Sequence, residues 1–237
     1  MATTITKTNV TTDTVPAKKT KAVKGLETAV ITDVIDPEGD FRVKIILPGI
    51  TNSKESIFAR IASFDAGNNR GAFFMPEIGD EVIVGFINGD FNQPIVLGSL
   101  YNNKNTPPVI SEEGNPQKGY ISRSKIKILI DDDKKLIIID TPAGNSITLD
   151  ESGMKIEITD QKQNKVTMNP SGISVESPLQ IDIKAGTALS LTAGTSIAIH
   201  APSISVKADA DVSITGSTTK LAGQGPTEIT GLPVTIN

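Results

Sequence analysis

Pairs of apolar residues recur about every eight positions along the last sixty residues of this chain. Small or turn-forming residues, such as Ala185-Gly186-Thr187-Ala188, separate one pair from the next. The pairs are Ile181 and Ile183, Leu189 and Leu191, Ile197 and Ile199, Ile204 and Val206, and Val212 and Ile214. Because a strand of two or three residues cannot bury its own apolar face, each unit needs neighbours. The repeat therefore predicts a fibre built from several copies of the chain.

Aromatic residues are confined to the first part of the sequence. All seven Phe and both Tyr lie between Phe41 and Tyr120, and the chain has no Trp. We therefore expect a conventional core before Tyr120, whereas the remainder must pack with Ile, Val and Leu alone. The narrow interior of a fibre imposes the same restriction on side-chain size.

Composition along the chain predicts four regions. Residues 1–25 carry five Lys and one Asp and little apolar content, which is typical of a flexible basic tail. Residues 26–102 contain five short, β-branched segments bounded by turns, including a hairpin signal at Asn88-Gly89, and predict a small closed barrel. Residues 103–120 form a polar, proline-containing linker, and residues 121–237 alternate in polarity as further strands followed by the repeat.

Two stretches together resemble one protein family. Residues 26–102 resemble the OB-fold domain of the central spike in contractile injection machines, such as the phage baseplate assembly protein V and the VgrG proteins of type VI secretion. The segments that carry this resemblance are Asp36-Pro37-Glu38-Gly39-Asp40-Phe41-Arg42-Val43-Lys44, Ala66-Gly67-Asn68-Asn69-Arg70-Gly71-Ala72-Phe73-Phe74, Pro76-Glu77-Ile78-Gly79-Asp80-Glu81-Val82-Ile83-Val84-Gly85-Phe86 and Pro94-Ile95-Val96-Leu97-Gly98-Ser99-Leu100-Tyr101. The eight-residue repeat resembles the triple-stranded β-helix that follows that domain.

The resemblance implies an all-β fold: a five-stranded OB-fold barrel followed by an intertwined trimeric β-helix needle. It implies a homotrimer whose core contains the ten paired apolar residues of the repeat. It also implies a baseplate hub protein at the barrel end and a PAAR-type tip protein at the C-terminal end. The predicted docking residues for the tip are Val234, Ile236 and Asn237.

The function implied is that of a non-enzymatic spike that punctures a target-cell membrane. The N-terminus lacks the apolar segment of a signal peptide, and we expect none. The protein is then expected in the bacterial cytoplasm during assembly, and later in a phage tail, an extracellular injection particle or a secretion apparatus. A trimeric receptor-binding or adhesive fibre remains the alternative, since trimeric β-helices serve there too.

Catalytic and ligand-binding patterns are weak throughout the sequence. His200 is the only His, it follows a residue predicted to face the core, and we expect it on the surface. Asp131-Asp132-Asp133 lacks the spacing of a calcium loop and is interpreted as a solvated turn. Residues 26–102 carry five basic and eleven acidic side chains, a net charge of −6 that disfavours nucleic acid. We therefore expect no catalytic residues, no cofactor and no metal.

Overall fold

The computed structural model describes residues 22–50 and 55–235. The chain divides into two compact units, Met1–Leu179 and Gln180–Asn237. Within the described residues, regular secondary structure consists of strands and one short 3-10 turn, Ile87–Gly89. No helix in this part of the chain is long and apolar enough to cross a membrane.

The first unit opens with a closed five-stranded barrel, which confirms the fold predicted for 26–102. The strands of this region are β1 (Glu27–Asp33), β2 (Arg42–Ile46), β3 (Ser56–Ile61), β4 (Ala66–Gly67), β5 (Arg70–Gly71), β6 (Glu81–Phe86) and β7 (Pro94–Leu100). The barrel order is β1-β2-β3-β7-β6, and β4 and β5 form a separate two-stranded hairpin. Parallel pairing of β3 with β7, at Arg60–Ile95 and Ile61–Val96, closes the barrel.

Alternate side chains of the barrel strands, together with Leu47 directly after β2, form a small aliphatic core. Its nine residues are at most 2% exposed, and none is aromatic: Ala29, Ile31, Val43, Ile45, Leu47, Ala59, Val82, Val84 and Val96. The period-two pattern of β2 and β6 directs every second residue inward. Burying each Val or Ile stabilises the fold by about 1.5–3 kcal/mol.

The connection between β6 and β7 contains the predicted hairpin signal. Asn88 and Gly89 both have positive φ, 53° and 73°. The connection runs through the 3-10 turn rather than a two-residue loop, because Ile87 and Asp90 close further hydrogen bonds with Gln93. Val23 donates its N–H to the Gly89 carbonyl over 2.9 Å, so the described start of the chain is anchored on this loop.

A buried carboxylate organises the connection between β1 and β2. The Asp36 side chain is only 4% exposed and lies 2.8 Å from Arg42 Nη2. It also accepts the backbone N–H groups of Glu38, Asp40 and Arg42. Hydrogen bonds from the Arg42 side chain, together with these N–H groups, hold the pKa of Asp36 well below its usual range. The sequence Asp36-Pro37-Glu38-Gly39-Asp40 thus forms a turn that is fixed around one charge.

We expect this turn to make barrel stability depend on pH. Because the pKa of Asp36 is lower in the folded chain, its stabilisation is complete above the unfolded value of about 4 and is lost as the pH falls below it. Hydrogen–deuterium exchange of β2 should be faster in Asp36→Asn than in the wild type at about pH 6. The ratio of the two rates should shrink steadily as the pH falls below about 4, because the unfolded carboxyl is then protonated while the folded one is still ionised. A rate ratio that stays constant over this range would contradict the assignment.

A seven-stranded antiparallel sheet completes the first unit. Its strands are β8 (Gln117–Ile121), β9 (Lys127–Asp131), β10 (Leu136–Asp140), β11 (Ser146–Asp150), β12 (Lys155–Thr159), β13 (Lys165–Asn169) and β14 (Gly172–Glu176). Each strand pairs with its neighbours in sequence. β8 begins within the segment 103–120 that the sequence predicts as a linker.

The second unit has no interior of its own. Every described residue from 180 to 235 is exposed, and this segment contains no hydrogen-bonded strand among those residues. An extended chain with regularly spaced Ile, Leu and Val cannot shield them from water by itself.

Candidate functional site: an exposed apolar sheet face

One face of the seven-stranded sheet consists of aliphatic side chains that lie open to solvent. Alternation along each strand places every second residue on this face. The residues, here called the apolar face, are Ile128, Ile130, Ile137, Ile139, Ile147, Leu149, Ile156, Ile158, Val166, Met168, Ile173 and Val175. Apart from the half-buried Val166, they are 37–71% exposed.

Strand register aligns these side chains into two continuous rows. The first row follows the cross-strand pairs Ile128–Ile139–Ile147–Ile158–Val166–Val175, and the second follows Ile130–Ile137–Leu149–Ile156–Met168–Ile173. Directly opposed residues are close enough for their side chains to touch. Two uninterrupted aliphatic rows across six strands form a larger apolar patch than a monomeric protein normally exposes, and this indicates a protein interface.

The opposite face of the same sheet is largely polar and internally paired. Lys127 lies 2.9 Å from Asp140 on the adjacent strand. Glu157 contacts Lys165 at 3.1 Å and Lys155 at 3.6 Å. The hydrogen bond from Lys165 and the nearby charge of Lys155 lower the pKa of Glu157. This face can therefore remain in water, so that only the apolar face needs a covering partner.

Contacts between turns hold the strand register at one end of the sheet. The turn after β9 and the turn after β11 are joined by a Lys135–Glu151 ion pair of 2.7 Å. The Glu151 N–H donates to the Lys135 carbonyl, and the Ser152 hydroxyl donates to the Lys134 carbonyl. Because a one-residue slip would move the aliphatic side chains to the polar face, these contacts preserve the apolar face.

Asp131 differs from the solvated turn predicted from the sequence. It is the last residue of β9 and is only 3% exposed, whereas Asp132 and Asp133 are exposed. Its carboxylate accepts the Lys134 N–H over 3.0 Å and lies 3.5 Å from Lys134 Nζ. The backbone hydrogen bond and the Lys134 charge lower the pKa of Asp131. Its role is structural, because it caps the turn between β9 and β10.

The predicted trimer-core residues of the repeat all lie in the second unit and are all exposed within one chain. The first residue of each pair is less exposed than the second, as at Ile197 (55%) and Ile199 (70%). Their burial in a trimer therefore stays a prediction. The apolar face was not included in the predicted core, although the alternation of Ile126, Ile128 and Ile130 was its signal.

The remaining predicted sites show little local structure. Val234, one of the predicted tip-docking residues, is 47% exposed. Ile236 and Asn237, the other two, lie outside the described residues. His200 is exposed within its own unit. Across residues 22–50 and 55–235, no group of three or more His, Cys, Asp or Glu side chains is arranged to hold a metal ion.

Comparison with known proteins gives a match in both units of the chain. Residues 27–101 match the type VI secretion system/phage-baseplate injector OB domain. Residues 135–210 match the phage baseplate V C-terminal trimerisation domain. The chain belongs to the phage baseplate V and VgrG spike family. The second match contains strands β10 to β14 of the apolar face and the first part of the repeat, and it supports a homotrimer.

The curated relatives include spike proteins of type VI secretion and a toxin. Over 89 residues the chain is 38% identical to the type VI secretion system spike protein VgrG3 of Vibrio cholerae. The matched region covers 33% of this chain and 9% of that protein. The chain is 34% identical over 120 residues to the type VI secretion system spike protein VgrG1c of Pseudomonas aeruginosa. This region covers 46% of this chain and 16% of that protein. A match to the actin cross-linking toxin VgrG1 of Vibrio cholerae, at 40% identity over 89 residues, covers 33% of this chain and 8% of that protein. The chain thus spans less than a fifth of these relatives.

Proposed function

We propose that this protein is the non-enzymatic, membrane-puncturing spike of a contractile injection apparatus. The observation that carries the proposal is the apolar face, which lies within the match to a trimerisation domain and has no cover in the single chain. Three copies would turn these faces toward one axis and bury both aliphatic rows. The second unit would bury the paired apolar residues of its repeat by the same threefold association.

Mechanical stiffness follows from this arrangement. In a single chain the edge strands β8 and β14 leave their outer backbone groups unpaired by any other strand of the sheet. Three sheets around one axis can bring such edges together, and bending the trimer then disturbs all three sheets at once. Resistance to bending is the property that a puncturing device needs, and it requires no catalytic residue, cofactor or nucleic acid.

The barrel and the C-terminal residues would bind different partners. The barrel end would sit on a baseplate hub protein, and the C-terminal residues Val234, Ile236 and Asn237 would receive a PAAR-type tip protein. Assembly would take place in the bacterial cytoplasm, followed by incorporation into a phage tail, an extracellular particle or a secretion apparatus. The names of VgrG3 and VgrG1c, two relatives that are type VI spike proteins, support this placement.

Immuno-electron microscopy of contractile particles from the producing bacterium tests the proposal. An antibody against this chain should label the baseplate end, on the particle axis. An unrelated tail-sheath antibody provides the positional control along the tube. Label on peripheral fibres would contradict the spike and favour an adhesive role.

A further inference from the structure

A hairpin of the barrel displays aromatic side chains to solvent. It comprises residues 63–75, which contain β4, β5 and three exposed Phe residues. Phe64, Phe73 and Phe74 are 88%, 81% and 62% exposed. Burial of an aromatic ring is strongly favourable, so three such residues on one hairpin indicate a contact surface rather than scattered exposure.

Several contacts order the backbone of this hairpin, although its rings are mostly exposed. Arg70 and Asp65 form an ion pair of 2.6 Å across it. Ser63 Oγ lies 2.9 Å from the carbonyl oxygens of both Asp65 and Ala72. Gly71 has a φ of +133°, and a Cβ there would lie 2.6 Å from the Asp65 carbonyl. These contacts restrain the backbone that carries the aromatic side chains, and such restraint reduces the entropy cost of binding.

Phe41 extends the aromatic surface from the preceding connection. Its φ of 57° is a strained value for a bulky residue, and its side chain is 48% exposed. Phe41 and Phe73 line the same surface hollow. The fold thus holds a strained residue that is only half-buried within the single chain, and such strain is typical of functional surfaces.

Phe74 connects the hairpin with the apolar face. Its ring centroid lies 5.2 Å from that of Tyr120, at an interplanar angle of 60°. Tyr120 is the residue of β8 that pairs with Ile128, the first member of the first aliphatic row. Beside this contact, Arg123 and Glu77 form an ion pair of 2.9 Å. The aliphatic row therefore continues through Tyr120 to Phe74 without a polar interruption.

We propose that the aromatic surface, defined as Phe41, Phe73, Phe74 and Tyr120, binds a neighbouring copy of this chain. The inference rests on the proposed trimer, and it adds a contact by the barrel to one assigned so far to the sheet and the repeat. A second copy is the occupant because the surface is continuous with the apolar face, and a partner that covers Ile128 must also approach Tyr120. This contact would hold the barrels in a fixed orientation relative to the three seven-stranded sheets.

Photo-crosslinking of the purified full-length protein tests this contact. Phe74 is replaced by p-benzoylphenylalanine, which preserves an aromatic side chain, and light scattering is measured on the same preparation. The matched control places the crosslinker at Phe58. That ring lies on β3 beneath Arg42 and Lys44, at 5.1 and 5.6 Å from their charged groups, and outside the aromatic surface.

The two measurements separate the inference from the function on which it rests. The expected result is a trimer by mass, with covalent dimers and trimers formed at Phe74 and at least about tenfold fewer at Phe58. A trimer that gives no inter-chain product at Phe74, or equal product at both sites, overturns the aromatic contact alone. Crosslinking of Phe74 only to another baseplate protein, in assembled particles, also overturns it. A monomeric mass would instead contradict the proposed spike.

Discussion

Replacing Ile147 with Lys is expected to reduce the mass in light scattering from three times 25.0 kDa to that of one chain. Ile147 is the second residue of β11 and lies in the first aliphatic row, between Ile139 and Ile158. Around a threefold axis the substitution would bury three ammonium groups close together. Each unpaired buried charge costs several kcal/mol, and the mutual repulsion adds to this cost.

Thr148→Lys is the matched control for this experiment. Thr148 is the next residue of the same strand, but it lies on the polar face opposite Glu157. A Lys there gains a nearby carboxylate and remains in water, so the trimer should persist with a stability change within about 0.5 kcal/mol. If both variants were trimeric, or both monomeric, the apolar face could not be the trimer interface.

Replacing Ile197 with Asp is expected to open the C-terminal repeat to protease. Trypsin sites at Lys184, Lys207 and Lys220 lie in this segment, where every described residue is exposed in a single chain. Burial in a trimer would protect them, and three Asp carboxylates in a narrow core would remove that protection. Since every 1.4 kcal/mol changes the open population tenfold, cleavage at Lys184 and Lys207 should be more than about tenfold faster.

Ala198→Asp provides the comparison within the same repeat unit. Ala198 separates Ile197 from Ile199, so an extended chain would turn its side chain outward. This variant should keep the wild-type cleavage rate, as measured by mass spectrometry of the fragments. Equal sensitivity of the two variants would contradict an inward position of Ile197, and rapid cleavage of the wild-type trimer would contradict a buried repeat.

Local patterns were sufficient to predict the barrel. Strands β2, β3 and β6 combine β-branched residues with period-two alternation, and the turns between them carry Gly, Pro, Asn and Asp. The hairpin of β4 and β5 was not predicted, because two residues per strand give no periodicity. Its order comes instead from the Arg70–Asp65 pair and the hydroxyl of Ser63.

The apolar face shows why local patterns were not sufficient elsewhere. Alternation predicted strands around Ile147, Leu149, Ile156 and Ile158, but the alignment of their side chains depends on strand register. Register is set by the turns between strands. The turns after β9, β11 and β12 have Lys135, Met154 and Gln163 as their left-handed residues, whereas the turn after β10 uses a Gly, Gly144. At the turn after β11 the sequence favours Gly153 for that conformation, whereas the structure assigns it to Met154. Propensity alone could not locate the residue with positive φ.

The sequential pairing of β8 to β14 has a consequence for biosynthesis. Each of these strands finds its partner within about twenty residues, for example Ile137 with Leu149, whereas the barrel closes by joining Arg60 to Ile95. Local contacts form faster than distant ones. On the ribosome the barrel sequence emerges first, and each later hairpin can form as soon as its second strand has left the exit tunnel. The rate of assembly should then depend on how often three finished chains meet, and thus on how close together they are made.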